Sequence, residues 1–279
     1  MSRGRGLRSN PAAITSCVVV AAYVLLALLG PSFSPNDIQT LDWNNVATAP
    51  ALSGSHWFGT DRLGRDLYAR TLEGMRTSLS VGLVGSLISL AVGIAFGAVS
   101  GYVGGRTDRL MMRFIEVLSG LPLIFFVILL TVIFGHGRHF LFVAIGAVGW
   151  LSMARIVRGQ ALSIRRRDYI EAAVASGAGA ARIILKHVVP NLMGPVIVYA
   201  ALTVPQIIMF ESFLSFLGLG EQEPHASLGT LIAEGAGEVE TAAWILWIPC
   251  TILAALLLSL NIIGDGLREA LDLQDHPRS

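Results

Sequence analysis

Six long apolar runs constrain this chain more than anything else in its sequence. They are Ala12–Leu29, Leu79–Val103, Met112–Phe134, Phe140–Val157, Leu192–Phe213 and Ala242–Ile263. Each is near the ~20 residues a helix needs to cross a hydrocarbon core roughly 30 Å thick. Hydrocarbon offers no partner to a backbone N–H or C=O, so a crossing segment must pair its own. The expected fold is therefore an all-α integral membrane protein with about six transmembrane helices. Composition agrees: 53% of the 279 residues are hydrophobic and 14% charged, too little charge to cover a soluble protein of this size.

Orientation follows from where Arg and Lys collect. With the N-terminus inside, the inner segments hold Arg3, Arg5, Arg8, Arg106, Arg109, Arg113, Arg155, Arg158, Arg165, Arg166, Arg167, Arg182, Lys186, Arg268 and Arg278. The outer segments hold Arg62, Arg65, Arg70, Arg76 and Arg138. Fifteen of twenty basic residues inside places both termini in the cytoplasm. The opening arginines resemble a signal-peptide n-region, but the apolar run is long for a signal and Leu28-Leu29-Gly30-Pro31 is a poor cleavage site. The first run is read as an uncleaved span. The expected organisation is a cytoplasmic tail (1–11), one membrane domain (12–264) and a C-terminal tail (265–279). Three segments outside the bilayer are long enough to matter: 31–76 outside, 158–190 inside and 218–241 outside.

Several chemistries are excluded. Cys17 and Cys250 each lie inside an apolar run, and the six His (56, 136, 139, 187, 225, 276) form no paired ligand pattern, so no metal site is expected. The formal net charge of +1 gives no basic field for nucleic acid. Lys186 is the only Lys, and no Gly-rich loop precedes it. A P-loop needs Lys in GxxxxGK[ST] to reach nucleotide phosphates, so the chain has no such ATP site of its own. No catalytic constellation is visible, and the chain is read as a non-enzyme.

The inner segment 158–190 carries a short helix signal. Asp168 is placed to cap it and Glu171, three residues on, completes a capping-box-like pair. Ala172, Ala173 and Ala175 favour helix with little bulk, and Gly177 offers the left-handed stop. A second amphipathic stretch, Ala181–Lys186, leads to Pro190. Such a helix can seat in a groove on another protein, with Arg165, Arg166 and Arg167 beside it for acidic groups or lipid phosphates. Helix chemistry alone leaves an ordinary interfacial helix as the alternative.

Glu171-Ala172-Ala173, Gly177 and Pro190 resemble the EAA signature of ABC-importer permeases, with His187 and Val189 standing where that pattern has Ile and Leu. The resemblance narrows to the dipeptide/oligopeptide/nickel permease family, as the second, C-type permease of a pair. It rests on His56-Trp57-Phe58-Gly59-Thr60-Asp61 with Gly64-Arg65-Asp66 and Arg70. It continues through Gly149-Trp150, Ala154-Arg155 and Arg158, then Glu211 with Ser215–Gly220, then Gly264–Arg268. Two departures are Leu228, where the family often has Trp, and Asp272-Leu273-Gln274, where it often has Asp-Pro-Arg.

The resemblance implies a type I importer permease fold in the bacterial cytoplasmic (inner) membrane. It implies that Asp168, Tyr169, Ile170, Glu171, Ala172, Ala173, Ser176 and Gly177 form a coupling helix docking on a cytoplasmic ATPase. The implied partners are a homologous permease in a heterodimer, two ABC ATPases that hold ATP and Mg, and an extracytoplasmic substrate-binding protein. Short peptides are the implied substrate, with nickel or another small solute as the alternative within the family. A secondary transporter is the rival outside it, and scarce acids in the spans argue against that.

Other residues keep two readings each. Glu211 is either a pathway or gating group, or a structural acid bonded to a neighbouring helix. Pro205, with Pro190 and Pro195, marks either a kinked cavity-lining helix or a tolerated kink. Gly120-Leu121-Pro122 suggests a break in the third run. Asp61, Arg65 and Asp66, with Arg62, Arg70 and Arg76, either pair within a compact outer cap or form a docking surface for a binding protein. Trp57, Phe58 and Tyr68 suit interfacial anchoring, and Glu116 pairs with Arg113.

Overall fold

The computed structural model describes residues 11–34, 36–51, 54–134 and 138–275. Arg3, Arg5, Arg8, His136, His276 and Arg278, with most of the expected N-terminal tail and the end of the C-terminal one, lie outside the described residues. Among the described residues ten α-helices follow one another: α1 (Pro11–Phe33), α2 (Leu67–Val103), α3 (Gly105–Ser119), α4 (Leu123–Phe134), α5 (Arg138–Arg165), α6 (Asp168–Ala175), α7 (Ala180–Ile183), α8 (Val189–Phe216), α9 (Leu228–Ala236) and α10 (Trp244–Asp275). A π turn, Ile184–Val188, joins α7 to α8 without a break.

Among the described residues, four helical stretches are long and apolar enough to cross a membrane: Pro11–Phe33, Leu67–Val103, Ala180–Phe216 and Trp244–Ala270. The expected third run is not one straight span. Its helix breaks at Gly120-Leu121-Pro122, and Gly105–Ser119 meets Ile124–Leu130 at 88°. Pro122 has no N–H to continue the helical ladder, and Gly120 caps α3 by donating to the carbonyls of Glu116 and Val117. The fourth run lies within α5, a single 28-residue helix. The second begins earlier than expected, because Asp66 caps α2 at Leu67 by accepting from the Ala69 N–H at 2.9 Å. Ten residues read as outer loop are therefore helix.

The bundle is built on α2, which at 37 residues is roughly 55 Å long. Its most extensive packing is against α5, and glycines make it close. A Cβ at Gly97 would meet the Ala154 carbonyl oxygen at 2.5 Å; at Gly101 it would meet the Arg158 carbonyl oxygen at 2.6 Å. Gly93, one turn earlier, faces Met153 in the same way. In lipid, helices gain little from hydrophobic exclusion, so such small residues allow the van der Waals contact that holds them. Ser89 adds a hydrogen bond to the Gly146 carbonyl at 3.2 Å. On other faces of α2 sit α8, α9 and α1, and α10 packs against α1, α8 and α9.

The two ends of α2 separate the loops as the Arg/Lys bias sorts them. The segments 34–66 and 217–243 gather around its first turns, where Leu67 packs with Ala242 and Ile245. The loop 166–188 gathers at its other end, where Arg165 donates to the Val103 carbonyl at 3.2 Å. There Arg158 of α5 makes a two-pronged ion pair with Asp108 of α3, and Ser100 of α2 donates to the same carboxylate at 2.6 Å. This bidentate pair is the strong form of an Arg–carboxylate contact.

Gly97→Leu is expected to cost at least the ~1–3 kcal/mol of an overpacked core, because backbone rather than a flexible side chain must move. Gly159→Ala, where a Cβ meets nothing within 4 Å, is the matched control. Thermal unfolding in detergent compares them; equal midpoints would contradict the close-packed account.

Candidate functional site: the inner loop, the outer cap and a cavity between α5 and α8

The inner loop forms the expected helix, with one correction at its start. Asp168 is the first helical residue rather than the cap; Arg167 occupies the cap position and no side chain caps it. Its carbonyl accepts from Ile170 N–H at 2.9 Å, which winds the first turn one residue earlier than expected. Asp168 and Glu171 instead place two carboxylates in the first turn, where the helix dipole favours them. The stop is as expected. Gly177 has φ +81°, Ala178 N–H donates to Ala173 O at 3.1 Å and Gly177 N–H to Val174 O at 2.9 Å. This is the Schellman pairing that a left-handed residue allows. Ser176 donates its hydroxyl to the Ala172 carbonyl at 2.9 Å.

The helix α6 has two faces. Ile170 is 2% exposed, in a cluster with Ala161 and Ile164 of α5, Ile183, Val188, and Leu192 and Val196 of α8; Ala173 and Ala178 pack against it. Asp168, Glu171, Ala172, Val174, Ala175, Ser176 and Gly177 face outward, and Tyr169 is 44% exposed. Ile170 therefore anchors α6 in a core shared with α5 and α8, and its small-residue face is left outward. A groove of about 650 Å³ lies beside it, lined by Tyr102, Arg165, Glu171 and Val174 among others. His187, in the place of the family's Ile, sits in the π turn with its ring 6.5 Å from the Tyr169 ring. Val189 packs against the same inner cluster.

At the other end, Asp61, Arg65 and Asp66 are turned into the fold: each is under 5% exposed. Asp61 accepts from Arg65 Nε at 2.7 Å and Arg70 Nη1 at 2.7 Å. Arg70, fully buried, also makes a fork to Glu234 of α9 at 2.5 and 2.9 Å. Arg65 reaches Glu223 at 3.3 Å. Asp66, besides capping α2, meets His56 Nδ1 at 2.8 Å. Charges taken out of water need partners with good geometry, and these have them. Gly64 makes the turn possible: its φ is +75° and a Cβ there would lie 2.1 Å from the Asp42 carbonyl oxygen. Asp42 itself, outside the spans, is held below the usual carboxylate range by hydrogen bonds from the Asn45 side chain and the Asn44 N–H. Trp57 and Phe58 both pack edge-on against Tyr68 at about 5 Å, so these aromatics brace one another.

Glu211 and Pro205 are both buried. Glu211 is fully buried; it accepts from Ser215 at 2.7 Å and from Ser78 of α2 at 3.0 Å. Ser78 in turn accepts from Leu228 N–H, and Ser227 donates to Ser215. The acid thus joins α8, α2 and the start of α9, the helix-bonded reading of the sequence. Leu228 is buried within that junction rather than offered outward. Pro205 is buried in α8. Its neighbours are what face open space: a cavity of about 870 Å³ between α5 and α8 is lined by Gly149, Ser152, Met153, Ile156, Tyr199, Leu202, Thr203, Gln206, Ile207, Met209, Phe210 and Phe213. None of these was singled out from the sequence for this role. The available signal was Gln206, an amide inside an apolar run.

Comparison with known proteins places these features in company. The model of the family described as "Binding-protein-dependent transport system inner membrane component" matches residues 93–273. A second, described as the N-terminal TM domain of oligopeptide transport permease C, matches residues 4–50. The chain is 50% identical over 266 residues to the oligopeptide transport system permease protein OppC of Haemophilus influenzae, covering 95% of this chain and 86% of that one. It is 47% identical over 271 residues to OppC of Escherichia coli, covering 97% and 90%. It is 44% identical over 271 residues to the dipeptide transport system permease protein DppC of Bacillus subtilis, covering 96% and 83%.

Arg70→Ala is expected to destabilise the protein by about 3–5 kcal/mol, because it removes the fork to Glu234 and leaves the two carboxylates Asp61 and Glu234 to share Arg65 alone. Thermal unfolding in detergent reads the loss. A drop as small as that of a surface arginine such as Arg62→Ala would overturn the buried-network account.

Proposed function

The chain belongs to the family of binding-protein-dependent transport system inner membrane components, and on that footing we propose that it is the C-type permease subunit of an ATP-driven oligopeptide importer. It is a multi-pass protein of the bacterial inner membrane and forms the translocation path with a homologous permease. Two cytoplasmic ABC ATPases hold ATP and Mg²⁺, and an extracytoplasmic binding protein delivers the substrate. Peptide is the substrate named for the relatives described above, at 44–50% identity over nearly the whole chain.

The observation that carries the reading is the two-faced α6. Its outward face is small and accessible, and exposed Tyr169 and Val174 flank the alanines. Burying an apolar side chain of that size in a partner groove contributes about 1.5–3 kcal/mol. Its inward face, through Ile170, is continuous with the cores of α5 and α8. When ATP binding draws the ATPases together, α6 moves with them. The packed cluster resists compression, so α5 and α8 follow and the path opens alternately to each side.

Two experiments test this. Glu171→Trp and Gly177→Leu should each lower ATPase association and peptide uptake by about tenfold or more, the loss expected when ~1.4 kcal/mol or more of docking energy goes. Gly177→Leu carries the added strain of a left-handed backbone. Normal uptake and assembly in both variants would sink the coupling role. Uptake by vesicles carrying the assembled complex should require ATP on the cytoplasmic side; uptake on a proton gradient alone would point to a secondary transporter.

A further inference from the structure

We propose that the cavity between α5 and α8 is this subunit's half of the peptide path and that it grips the peptide main chain through neutral groups, chiefly the Gln206 amide. The inference rests on the importer reading and assigns the site within it. Gln206 is exposed on α8 ten residues before the helix ends at Phe216, roughly 15 Å along its axis. Among the described residues no hydrogen bond engages its amide or the Ser152 hydroxyl across the cavity. An amide left unpaired in hydrocarbon costs about 4–8 kcal/mol, so lipid is the wrong neighbour for this face. A partner helix suits this face only if it presents a matching polar side chain, because most of its backbone groups are already paired internally. An extended peptide brings unpaired N–H and C=O groups, which a side-chain amide can both accept from and donate to.

The rest of the lining fits that occupant. Tyr199, Thr203 and Gln206 follow one another at helical spacing on one face of α8, opposite Ser152 on α5. None of the described lining residues is Asp, Glu, Lys or Arg, so the cavity does not favour one sign of side-chain charge over the other. Phe210 and Phe213 add apolar walls on the side toward Phe216. The volume, about 870 Å³, is in the range of small-ligand sites. The site is also mechanically connected. Met153 lines it and belongs to the same buried cluster as Ile170 of α6, so the inner loop and the cavity share one packed core.

The test uses the assembled complex in proteoliposomes, with Cys17→Ala and Cys250→Ala as background. Gln206→Cys should react with a membrane-impermeant cationic thiosulfonate at least about tenfold faster than Leu25→Cys on α1, and saturating tripeptide should slow that reaction. Gln206→Glu should raise uptake of a Lys-containing tripeptide relative to a Glu-containing one by about tenfold, the effect of ~1.4 kcal/mol of charge preference. An unreactive Gln206→Cys in a complex that still transports means the face is covered by protein or lipid, and the site assignment falls while the importer reading stands. Loss of the partner permease from purified Gln206→Leu complex means the face is a subunit interface, with the same consequence. If the wild-type complex takes up no peptide with ATP, the importer reading itself falls and takes the site with it.

Discussion

The close approach of α2 to α5 is the contact on which the rest of the structure depends. Their backbones meet where Gly93, Gly97 and Gly101 face Met153, Ala154, Val157 and Arg158. Within hydrocarbon the usual driving force for core formation is absent between helices, and what remains is contact at short range. Side chains larger than hydrogen at those positions would open the pair. With it closed, α2 serves as a strut whose two ends are pinned by charge. Arg70 joins Asp61 and Glu234 at one end, and Asp108 joins Arg158 and Ser100 near the other.

Those pins give the two ends different mechanical characters. At the outer end, buried ion pairs tie the segment 34–66 and α2 to α9, and the Glu211–serine junction ties α2 to the end of α8 and the start of α9. Breaking any of them leaves a charge or hydroxyl unpaired away from water, so this end is stiff. At the inner end, α6 is held mainly by Ile170 and two alanines against an apolar cluster. Apolar contact has no preferred direction, and it transmits a push without fixing an angle. The coupling role proposed for α6, in which motion passes from a partner to α5 and α8, calls for that kind of attachment.

Much of the site was legible in the sequence because it is local. The Ala-rich run, the glycine after it and the carboxylates in its first turn specify α6 within ten residues. The cap moved from Asp168 to Arg167 because the Arg167 carbonyl, rather than the Asp168 side chain, begins the hydrogen-bond ladder. The break at Gly120-Leu121-Pro122 was readable for the same reason: proline withholds a donor wherever it stands. The roles of Asp61, Arg65 and Asp66 were not readable. Buried pairing and surface docking call for the same residue types, and only the position of Glu234, more than 160 residues away, separates them. Glu211 was open in the same way, and Ser78, from a different helix, closed it.

The sequence by itself determined that this is a helical membrane protein, which of its loops collect positive charge, and where the short Ala-rich helix α6 lies. Each follows from run length, charge count or neighbouring residues, so none needs the fold. The tertiary structure alone decided which polar residues face open space. Pro205 stands beside Gln206 in one apolar run, yet the proline is buried and the amide lines the cavity. The rotation of α8 about its axis sets that difference. It depends on α2, α5 and α10 packing around it together, a constraint spread over distant parts of the chain that no local pattern records.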